Sequence, residues 1–313
     1  MGHLKQMHAL ITGVNGFLGQ TLSQYLLKEG ARVTGFGIQD ACPELIKGIQ
    51  YHKVDILNFD QLYSAMSELA SEDVVVFHLA GQSNVGKSRT EPLSTWAVNV
   101  TGTSHILETC RRVAIKKIVF PSTALVYARP APLPLAETDA TLVDSVYAST
   151  KLASEALIKS YSIDFGFTCR IARLGNVYGP GAAADSIVQI VLRQVKSGGP
   201  ITLQTLTTVR DFVYCDDVVT GLVALALQMD GPSCDIFNLS SGVPTSIREL
   251  VETACRVEGL ETLIIETNPH PQGANDQILV SIKHIQDFTG WLPAWNLEKG
   301  LRQTLADLET KSL

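Results

Sequence analysis

Short apolar segments alternate with segments of helical periodicity along the first half of the chain. Apolar side chains recur every three or four residues in the latter, which predicts helices at Phe17–Lys28, Asn58–Leu69, Pro92–Arg112 and Val146–Asp164. The apolar runs predict strands at His8–Gly13, Ala31–Phe36, Tyr51–Ile56, Val74–Ala80, Lys117–Ser122 and Thr168–Leu174. Since Val74–Ala80 lacks polar alternation, both its faces are expected to be covered. The order predicts an α/β fold with a doubly wound, Rossmann-like parallel sheet.

The pattern is less regular after about residue 175. Helices are predicted at Asp185–Lys196 and Cys215–Gln228, from a Thr245 cap to about Val257, and at Leu297–Leu308. Strands are predicted at Asp235–Ser240, Glu261–Glu266 and Gln277–Ser281. We therefore expect residues 1–175 to form a dinucleotide-binding domain, with later returns near residues 211–245. Residues 176–313 are expected to form mainly a smaller C-terminal α/β substrate-binding region.

Composition excludes several classes of protein. The chain has 313 residues, of which 45% are hydrophobic and 18% charged, values typical of a globular protein. The net charge is −6 and no basic cluster is present, so binding to nucleic acid is not expected. No apolar run approaches the roughly 18 residues that span a membrane, and no signal peptide precedes the first strand. We therefore expect a cytoplasmic protein without a membrane partner.

The six cysteines form no C-x-x-C spacing, and no histidines cluster near them. The sequence therefore predicts neither a zinc site nor a disulfide framework, but reduced thiols packed as small apolar residues.

A glycine-rich turn follows the first predicted strand. Gly13, Gly16 and Gly19 recur every three residues between that strand and the first helix. Glycine permits positive φ and a close approach of the backbone to a pyrophosphate, while the helix N-terminus faces the phosphates. In an α/β chain, this position predicts dinucleotide binding.

A tyrosine and a lysine lie four residues apart, at Tyr147 and Lys151. On a helix they share one face. A nearby ammonium favours the phenolate, and lowering a tyrosine pKa from about 10 to near 7 requires roughly 4 kcal/mol. The lysine together with the positive nicotinamide of an oxidised cofactor could supply it. The alternative is an exposed helix face that happens to carry both residues.

Ordered sequence blocks extend this pattern over nearly the whole chain. They are ALITGVNGFLGQTL, FHLAGQSNVGKS, WAVNVTGTSHILETC, FPSTALVY, SVYASTKLASE, ARLGNVYGPG, VRDFVYCDDVV, FNLSSGVPTSIREL and TGWLPAWNLEKGL. Together they resemble the extended short-chain dehydrogenase/reductase family, which comprises NAD(P)-dependent nucleotide-sugar epimerases, dehydratases and reductases.

The resemblance implies a set of site residues. Tyr147 matches the acid/base and Thr123 the catalytic hydroxyl, with Ser122 its weaker neighbour. Lys151 matches the partner of the tyrosine, and Asn99 the residue that supports this lysine through water. The cofactor-binding residues implied are Gly13, Gly16, Phe17, Leu18, Gly19, Asp55, Ile56, Leu79, Ala80, Gly81, Tyr147 and Lys151. The substrate-binding residues implied are Gln82, Ser83, Thr123, Asn176 and Arg210.

The end of the second strand departs from the family pattern. NAD-binding members usually carry an acid there that binds the ribose 2′-hydroxyl. Here the position is Gly37, and Asp40 lies three residues later. A missing carboxylate removes repulsion of a 2′-phosphate, but no arginine follows. The sequence therefore favours NADP over NAD and leaves both open.

Two further departures bear on the reaction and the substrate. Ala124 and Leu125 stand where 4,6-dehydratases carry an acidic pair, and neither side chain transfers protons, so dehydration is not expected. Thr205–Thr207 and Pro271–Ala274 replace a Gly-Asp-Gly turn and an Arg-x-Gly-Asp block. One arginine that binds the substrate diphosphate is therefore missing, and the identity of the nucleotide sugar stays open.

The resemblance implies an enzyme that acts at C4 of a nucleotide sugar. Our first expectation is a 4-keto-sugar reductase, in which Tyr147 donates the proton and Thr123 hydrogen-bonds the oxygen. The alternatives are a nucleotide-sugar 4-epimerase and a protein that senses NAD(P) without turnover. A homodimer is also expected, paired through the helices at Pro92–Arg112 and Val146–Asp164.

Overall fold

The structure is a computed structural model that describes residues 4–70, 73–129, 131–261, 263–268 and 277–310. The chain divides into two compact units, and each is described by itself. The first unit comprises the residues up to Tyr127, Thr141–Arg173 and Val219–Phe237. The second comprises Ala128–Ala140, Leu174–Val218 and the residues from Asn238.

Twelve strands are present in the described residues. They are β1 His8–Thr12, β2 Arg32–Gly37, β3 Gln50–Lys53, β4 Val74–His78, β5 Lys117–Thr123, β6 Thr168–Leu174, β7 Asn176–Tyr178, β8 Ile201–Leu203, β9 Val209–Tyr214, β10 Ser233–Leu239, β11 Pro244–Ser246 and β12 Ile264–Glu266. Seven of them form the central sheet in the order β10-β6-β5-β4-β1-β2-β3. The pairs β1-β2, β1-β4, β2-β3 and β4-β5 are parallel. The predicted doubly wound, Rossmann-like sheet is confirmed, and its strand order reverses direction at β1.

The helices are α1 Phe17–Lys28, α2 Phe59–Ser67, α3 Val85–Thr90, α4 Pro92–Trp96, α5 Gly102–Arg112, α6 Val146–Phe165, α7 Ile187–Ser197, α8 Cys215–Ala226, α9 Ile247–Glu258, α10 Lys283–Thr289 and α11 Leu297–Thr310. Leu62 of α2, Ile106 of α5 and Ile158 of α6 join one buried core with Val76 and Ile118 of the sheet. Burying these side chains supplies the main driving force that holds the helices against the strands.

The predicted helix at Pro92–Arg112 is divided. A π-helical segment, Ala97–Thr101, separates α4 from α5. Ile106 and Leu107, on one of the two helices expected to pair the homodimer, are buried in the core, whereas Trp96 is exposed. Periodicity alone could not separate these faces because one helix must cover the sheet and also present an outer surface.

Two predictions in the second half are wrong. The cap of α9 is Ser246 and not Thr245. The Ser246 hydroxyl accepts from the Glu249 N–H, and the Glu249 carboxylate accepts from the Ser246 N–H, which completes a capping box. Thr245 instead lies in β11, paired with Arg210. The predicted strand Gln277–Ser281 forms only an isolated bridge, between Val280 and Leu135.

The second unit contains two small sheets. One has the order β11-β9-β7, and the other pairs β12 with β8. The sequence did not predict β7, β8, β9 or β11; all of these except β9 are only three residues long, too short for a periodic pattern. In the middle of β9, Asp211 is fully buried and accepts hydrogen bonds from Ser241 and Gly242. This carboxylate therefore fixes the turn that leads into β11.

Candidate active site

Each glycine of the loop between β1 and α1 has a different structural reason. Gly13 has φ +70°, and a Cβ there would lie 2.7 Å from the Ala80 nitrogen. A Cβ at Gly19 would overlap the Gly13 carbonyl oxygen, so this glycine lets α1 pack on the loop. A Cβ at Gly16 would meet only that oxygen, at 3.1 Å. The space above Gly16, at the N-terminus of α1, therefore fits the pyrophosphate of a dinucleotide.

A chain of buried hydrogen bonds joins the carboxyl ends of β1 and β4. Thr12 Oγ1 accepts from the Ala80 N–H at 3.1 Å and pairs with His78 Nδ1 at 2.8 Å. His78 Nε2 pairs with Thr103 Oγ1 at 3.0 Å. Burial lowers the pKa of His78 to about 3, and the charge of Lys151 adds to this effect. His78 is therefore a neutral structural link. The role of His78 was not predicted from the sequence, although a histidine at the end of an apolar strand is unusual enough to indicate one.

Asn99, in the π-helical segment, holds the loop that follows β4. Its Oδ1 accepts from the Gln82 N–H at 2.7 Å, and its Nδ2 donates to the Gln82 carbonyl at 3.0 Å. Nδ2 also donates to Thr150 Oγ1 of α6 at 2.9 Å, and Ser154 Oγ donates to the Asn99 carbonyl. Asn99 thus positions the predicted cofactor segment. Its support of Lys151 through water stays a prediction.

The hydroxyl groups of Thr123 and Tyr147 lie close enough to interact. Thr123 is the last residue of β5, and Tyr147 lies in the first turn of α6, which Ser145 caps. Burial raises the pKa of Tyr147 to about 12, and its interaction with Thr123 only partly opposes this rise. The lowering of this pKa by Lys151 together with the positive nicotinamide of an oxidised cofactor stays a prediction.

The Lys151 ammonium is held by the backbone and an aromatic ring of β5. Nζ donates to the Pro121 carbonyl at 2.9 Å and lies 4.6 Å from the centre of the Phe120 ring. The residue is partly exposed, but its ammonium is enclosed, and burial lowers the pKa of Lys151 to about 8. Glu155 opposes that shift. Proton-transfer and cationic groups therefore stand together at the ends of β5 and α6.

The end of β2 is at Gly37, as the sequence analysis placed it. The Asn15 amide occupies the position of a Cβ at Gly37, and Tyr51 Oη would lie 2.9 Å from it. Asn15 Nδ2 donates to the Ala41 carbonyl, while its buried Oδ1 has no partner among the described residues. Asp40 is exposed and forms an ion pair with Lys53 at 2.5 Å. Asp40 is therefore engaged away from this position.

The other predicted cofactor residues lie in the first unit. Asp55 follows β3, and its Oδ1 accepts from the Leu57 N–H at 2.9 Å. Ile56 is buried, and Phe17 and Leu18 begin α1. Leu79, Ala80 and Gly81 follow β4, with Gln82 and Ser83 next in the same loop.

The two remaining substrate residues lie in the second unit. Asn176 begins β7, and Arg210 lies on β9, where its Nη1 donates to the Val209 carbonyl at 2.9 Å. The hydroxyl groups of Thr205 and Thr207 are hydrogen-bonded to each other at 3.2 Å in the turn that replaces Gly-Asp-Gly. The substituted block Pro271–Ala274 lies outside the described residues.

The described residues contain neither a candidate metal site nor a candidate membrane-spanning helix. No group of three or more His, Cys, Asp or Glu side chains there could hold a metal ion. Within the same ranges, no helix has the length and apolarity required to cross a lipid bilayer. The six cysteines are free thiols, four of them buried.

Comparison with known proteins agrees with this geometry. The model of the NAD dependent epimerase/dehydratase family matches residues 9–240. A UDP-glucuronate 4-epimerase of Thermodesulfobacterium geofontis is 28% identical over 310 residues, 95% of this chain and 94% of the relative. A GDP-6-deoxy-D-mannose reductase of Pseudomonas aeruginosa is 28% identical over 311 residues, 96% and 97% of the two chains.

A solved structure has the same fold. The UDP-glucose 4-epimerase of Thermus thermophilus, in complex with NAD, is 28% identical with a TM-score of 0.84 and covers 97% of this chain and 99% of its own. The family match spans most of the chain, and the glycine loop and the Tyr147–Thr123 pair lie within it. The chain belongs to the NAD dependent epimerase/dehydratase family, whose members are NAD-dependent enzymes.

Proposed function

We propose that this protein is an NAD-dependent 4-epimerase of a UDP-sugar. The observation that carries the proposal is the buried pair of hydroxyls, Tyr147 and Thr123, at the sheet edge that also holds the glycine loop. Relatives named as UDP-glucose or UDP-glucuronate 4-epimerases predominate among those compared, which supports epimerisation over our first expectation, reduction.

The proposed cofactor is NAD. The space above Gly16, at the N-terminus of α1, leaves room for a pyrophosphate, which supports a dinucleotide cofactor. The family is NAD-dependent. The NADP preference expected from Gly37 has no support beyond the missing carboxylate. When bound, NAD⁺ would accept a hydride from C4 of the sugar and return it to the opposite face of the ring.

The chain's own residues would handle the proton. Tyr147 would take the proton of the C4 hydroxyl and later return it, while Thr123 would hydrogen-bond the same oxygen. A tyrosine whose pKa is about 12 requires about 7 kcal/mol of differential stabilisation to act as a base near pH 7. The Lys151 ammonium and the positive charge of an oxidised nicotinamide are the proposed sources.

The second candidate is the 4-keto-sugar reductase. It is favoured by the Pseudomonas reductase, which is as similar in sequence as the first epimerase named above. In that reaction Tyr147 would donate its proton once, to the carbonyl oxygen. A protein that senses the dinucleotide without turnover remains a third hypothesis, opposed by the complete set Thr123, Tyr147 and Lys151.

The remaining parts of the proposal concern organisation. The segment up to residue 175 would bind the dinucleotide and the later segment mainly the nucleotide sugar, with Asn176 and Arg210 on its diphosphate. We also propose a cytoplasmic homodimer. Exposed Leu93 and Trp96 on α4 and Ile163 on α6 support an interface on those helices.

The test begins with purified protein and no added cofactor. Acid release and mass spectrometry would identify any bound dinucleotide, and UDP-glucose and UDP-glucuronate would each be offered as substrate. We expect bound NAD and interconversion of one UDP-sugar with its C4 epimer, lost in Tyr147→Phe. An empty site, together with NADPH oxidation by a 4-keto sugar nucleotide, would instead establish the reductase.

A further inference from the structure

A buried carboxylate lies one helical turn beyond the catalytic lysine. Glu155 is four residues after Lys151 on α6, and its side chain is only 4% exposed. Arg173 of β6 binds it with two nitrogens, Nε to Oε1 at 3.1 Å and Nη2 to Oε2 at 2.7 Å. Ser122 Oγ donates to the same Oε1 at 2.5 Å. The carboxylate therefore joins α6, β5 and β6.

This cluster requires an explanation beyond stability. Removing two charges from water costs several kcal/mol for each ion, and apolar side chains of similar volume often replace such a pair without loss of stability. Arg173 also lies 4.8 Å from the centre of the Tyr127 ring, and Glu155 and Tyr127 hold its pKa above the usual range. The paired side chains are therefore enclosed and fixed in direction.

The cluster acts on two of the three catalytic side chains, on Thr123 through Ser122 and on Lys151 through its charge. Ser122 and Thr123 are neighbours at the end of β5, so the bond that fixes Ser122 to Glu155 also restrains the backbone that carries Thr123 towards Tyr147. The negative charge of Glu155 also acts on the Lys151 ammonium. On the other side of this lysine lies His78 of β4, which is neutral.

We propose that Glu155 is a positioning residue for the catalytic group: clamped by Arg173, it orients Thr123 through Ser122 and supplies the charge that keeps Lys151 as an ammonium. The proposal rests on the proposed function for its reaction, but its binding arm requires only that NAD⁺ bind. It also explains why Ser122, although next to Thr123, is not the catalytic hydroxyl: its proton is donated to Glu155.

Two variants separate the two roles. Glu155→Gln keeps an oxygen that can accept from Ser122 but removes the charge, whereas Ser122→Ala keeps the charge and removes the link to β5. Asp235→Asn is the matched control, since Asp235 pairs with Arg170 of the same strand β6 at 3.1 Å. Each variant is compared with wild type for the NAD⁺ dissociation constant between pH 6 and 10 and for kcat and KM.

We expect different signatures. NAD⁺ affinity should fall as pH rises through the pKa of Lys151, about 8, because the neutral amine loses its charge-assisted bonds. Glu155→Gln should move that midpoint to lower pH, since it removes the negative charge that raises the pKa of Lys151. Ser122→Ala should lower kcat by about 10- to 100-fold through misplacement of Thr123, with the midpoint unchanged. Asp235→Asn should leave both unchanged.

The outcomes are decisive for this inference. An unchanged midpoint in folded Glu155→Gln, or a kcat of Ser122→Ala within about twofold of wild type, would overturn it. If Glu155→Gln does not fold, the kcat of Ser122→Ala alone tests the inference. This variant removes only a small buried hydroxyl and leaves Glu155 paired with Arg173. Wild-type protein that binds NAD⁺ but leaves every UDP-sugar unchanged would refute the proposed function, while the binding midpoint would still test the role of Glu155.

Discussion

Replacing Gly37 by aspartate should change the choice between NAD and NADP. β2 ends at this residue, where relatives that bind NAD carry an acid for the ribose hydroxyls. A new carboxylate would accept from the ribose diol and repel a 2′-phosphate. The expected result is an NAD-to-NADP affinity ratio that rises by at least about tenfold, which corresponds to about 1.4 kcal/mol.

The structure sets a cost in stability for this change. A Cβ at Gly37 would overlap Asn15 Oδ1, so the Asn15 amide must rotate away and give up its bond to the Ala41 carbonyl, about 1 kcal/mol. This overlap is present in the free variant, so its cost lowers stability and cancels from the affinity ratio. The ratio depends on the ribose bonds, each of which contributes about 1.5–3 kcal/mol. The double variant Asn15→Ser/Gly37→Asp removes the overlap with Asn15, but not the 2.9 Å contact with Tyr51 Oη, and should recover part of the stability while it keeps the raised ratio.

The assay is titration of each protein with NAD⁺ and NADP⁺, followed by fluorescence or calorimetry. Asp40→Asn is the control: Asp40 is exposed and paired with Lys53, so its loss should leave the ratio unchanged. If the double variant keeps the wild-type ratio, or if Asp40→Asn lowers NAD⁺ affinity selectively, the ribose meets a different part of the loop and the reasoning about Gly37 is refuted.

Three further predictions follow from the site and its surroundings. Tyr147→Phe should lower kcat by about 10²- to 10⁴-fold and leave the NAD⁺ dissociation constant within a few-fold, since only the proton-transfer group is lost; activity near wild type would exclude Tyr147 from that role. Gly16→Val should abolish NAD⁺ binding while the protein still folds, with a small fall in melting temperature because a Cβ there would lie 3.1 Å from the Gly13 carbonyl oxygen; normal titration would contradict this. Light scattering at micromolar concentration should give a dimer mass, and Trp96→Glu, at an exposed position of α4, should give a monomer.

The sheet could be predicted from sequence because its signals are local. β1 and β4 are short, mostly apolar runs, and α1 was predicted at its observed bounds because its apolar spacing is regular. The π-helical interruption at Ala97–Thr101 left no such signal, since its apolar positions are compatible with an ordinary helix. The short strands of the second unit depend on pairing with distant partners, which no local pattern encodes.

The site could be predicted only where spacing carries chemistry. The loop glycines, Tyr147 and Lys151 have fixed spacings, and Thr123 came from the family resemblance. The charge state of Tyr147 could not be predicted, because desolvation depends on what the fold places around the ring. Glu155 was part of a quoted block, but its role depends on Arg173 and Ser122, 18 and 33 residues away.

In the proposed reaction, the C4 hydrogen of a UDP-sugar leaves and returns within the site while Tyr147 carries the proton. UDP-glucose deuterated at C4 tests this transfer when it is incubated with the protein as purified and with no added cofactor. We expect UDP-galactose that retains the deuterium at C4, and no such product from Tyr147→Phe. Loss of the deuterium to solvent would contradict it. So would the absence of any C4 epimer, from this substrate or from UDP-glucuronate, by protein that holds NAD.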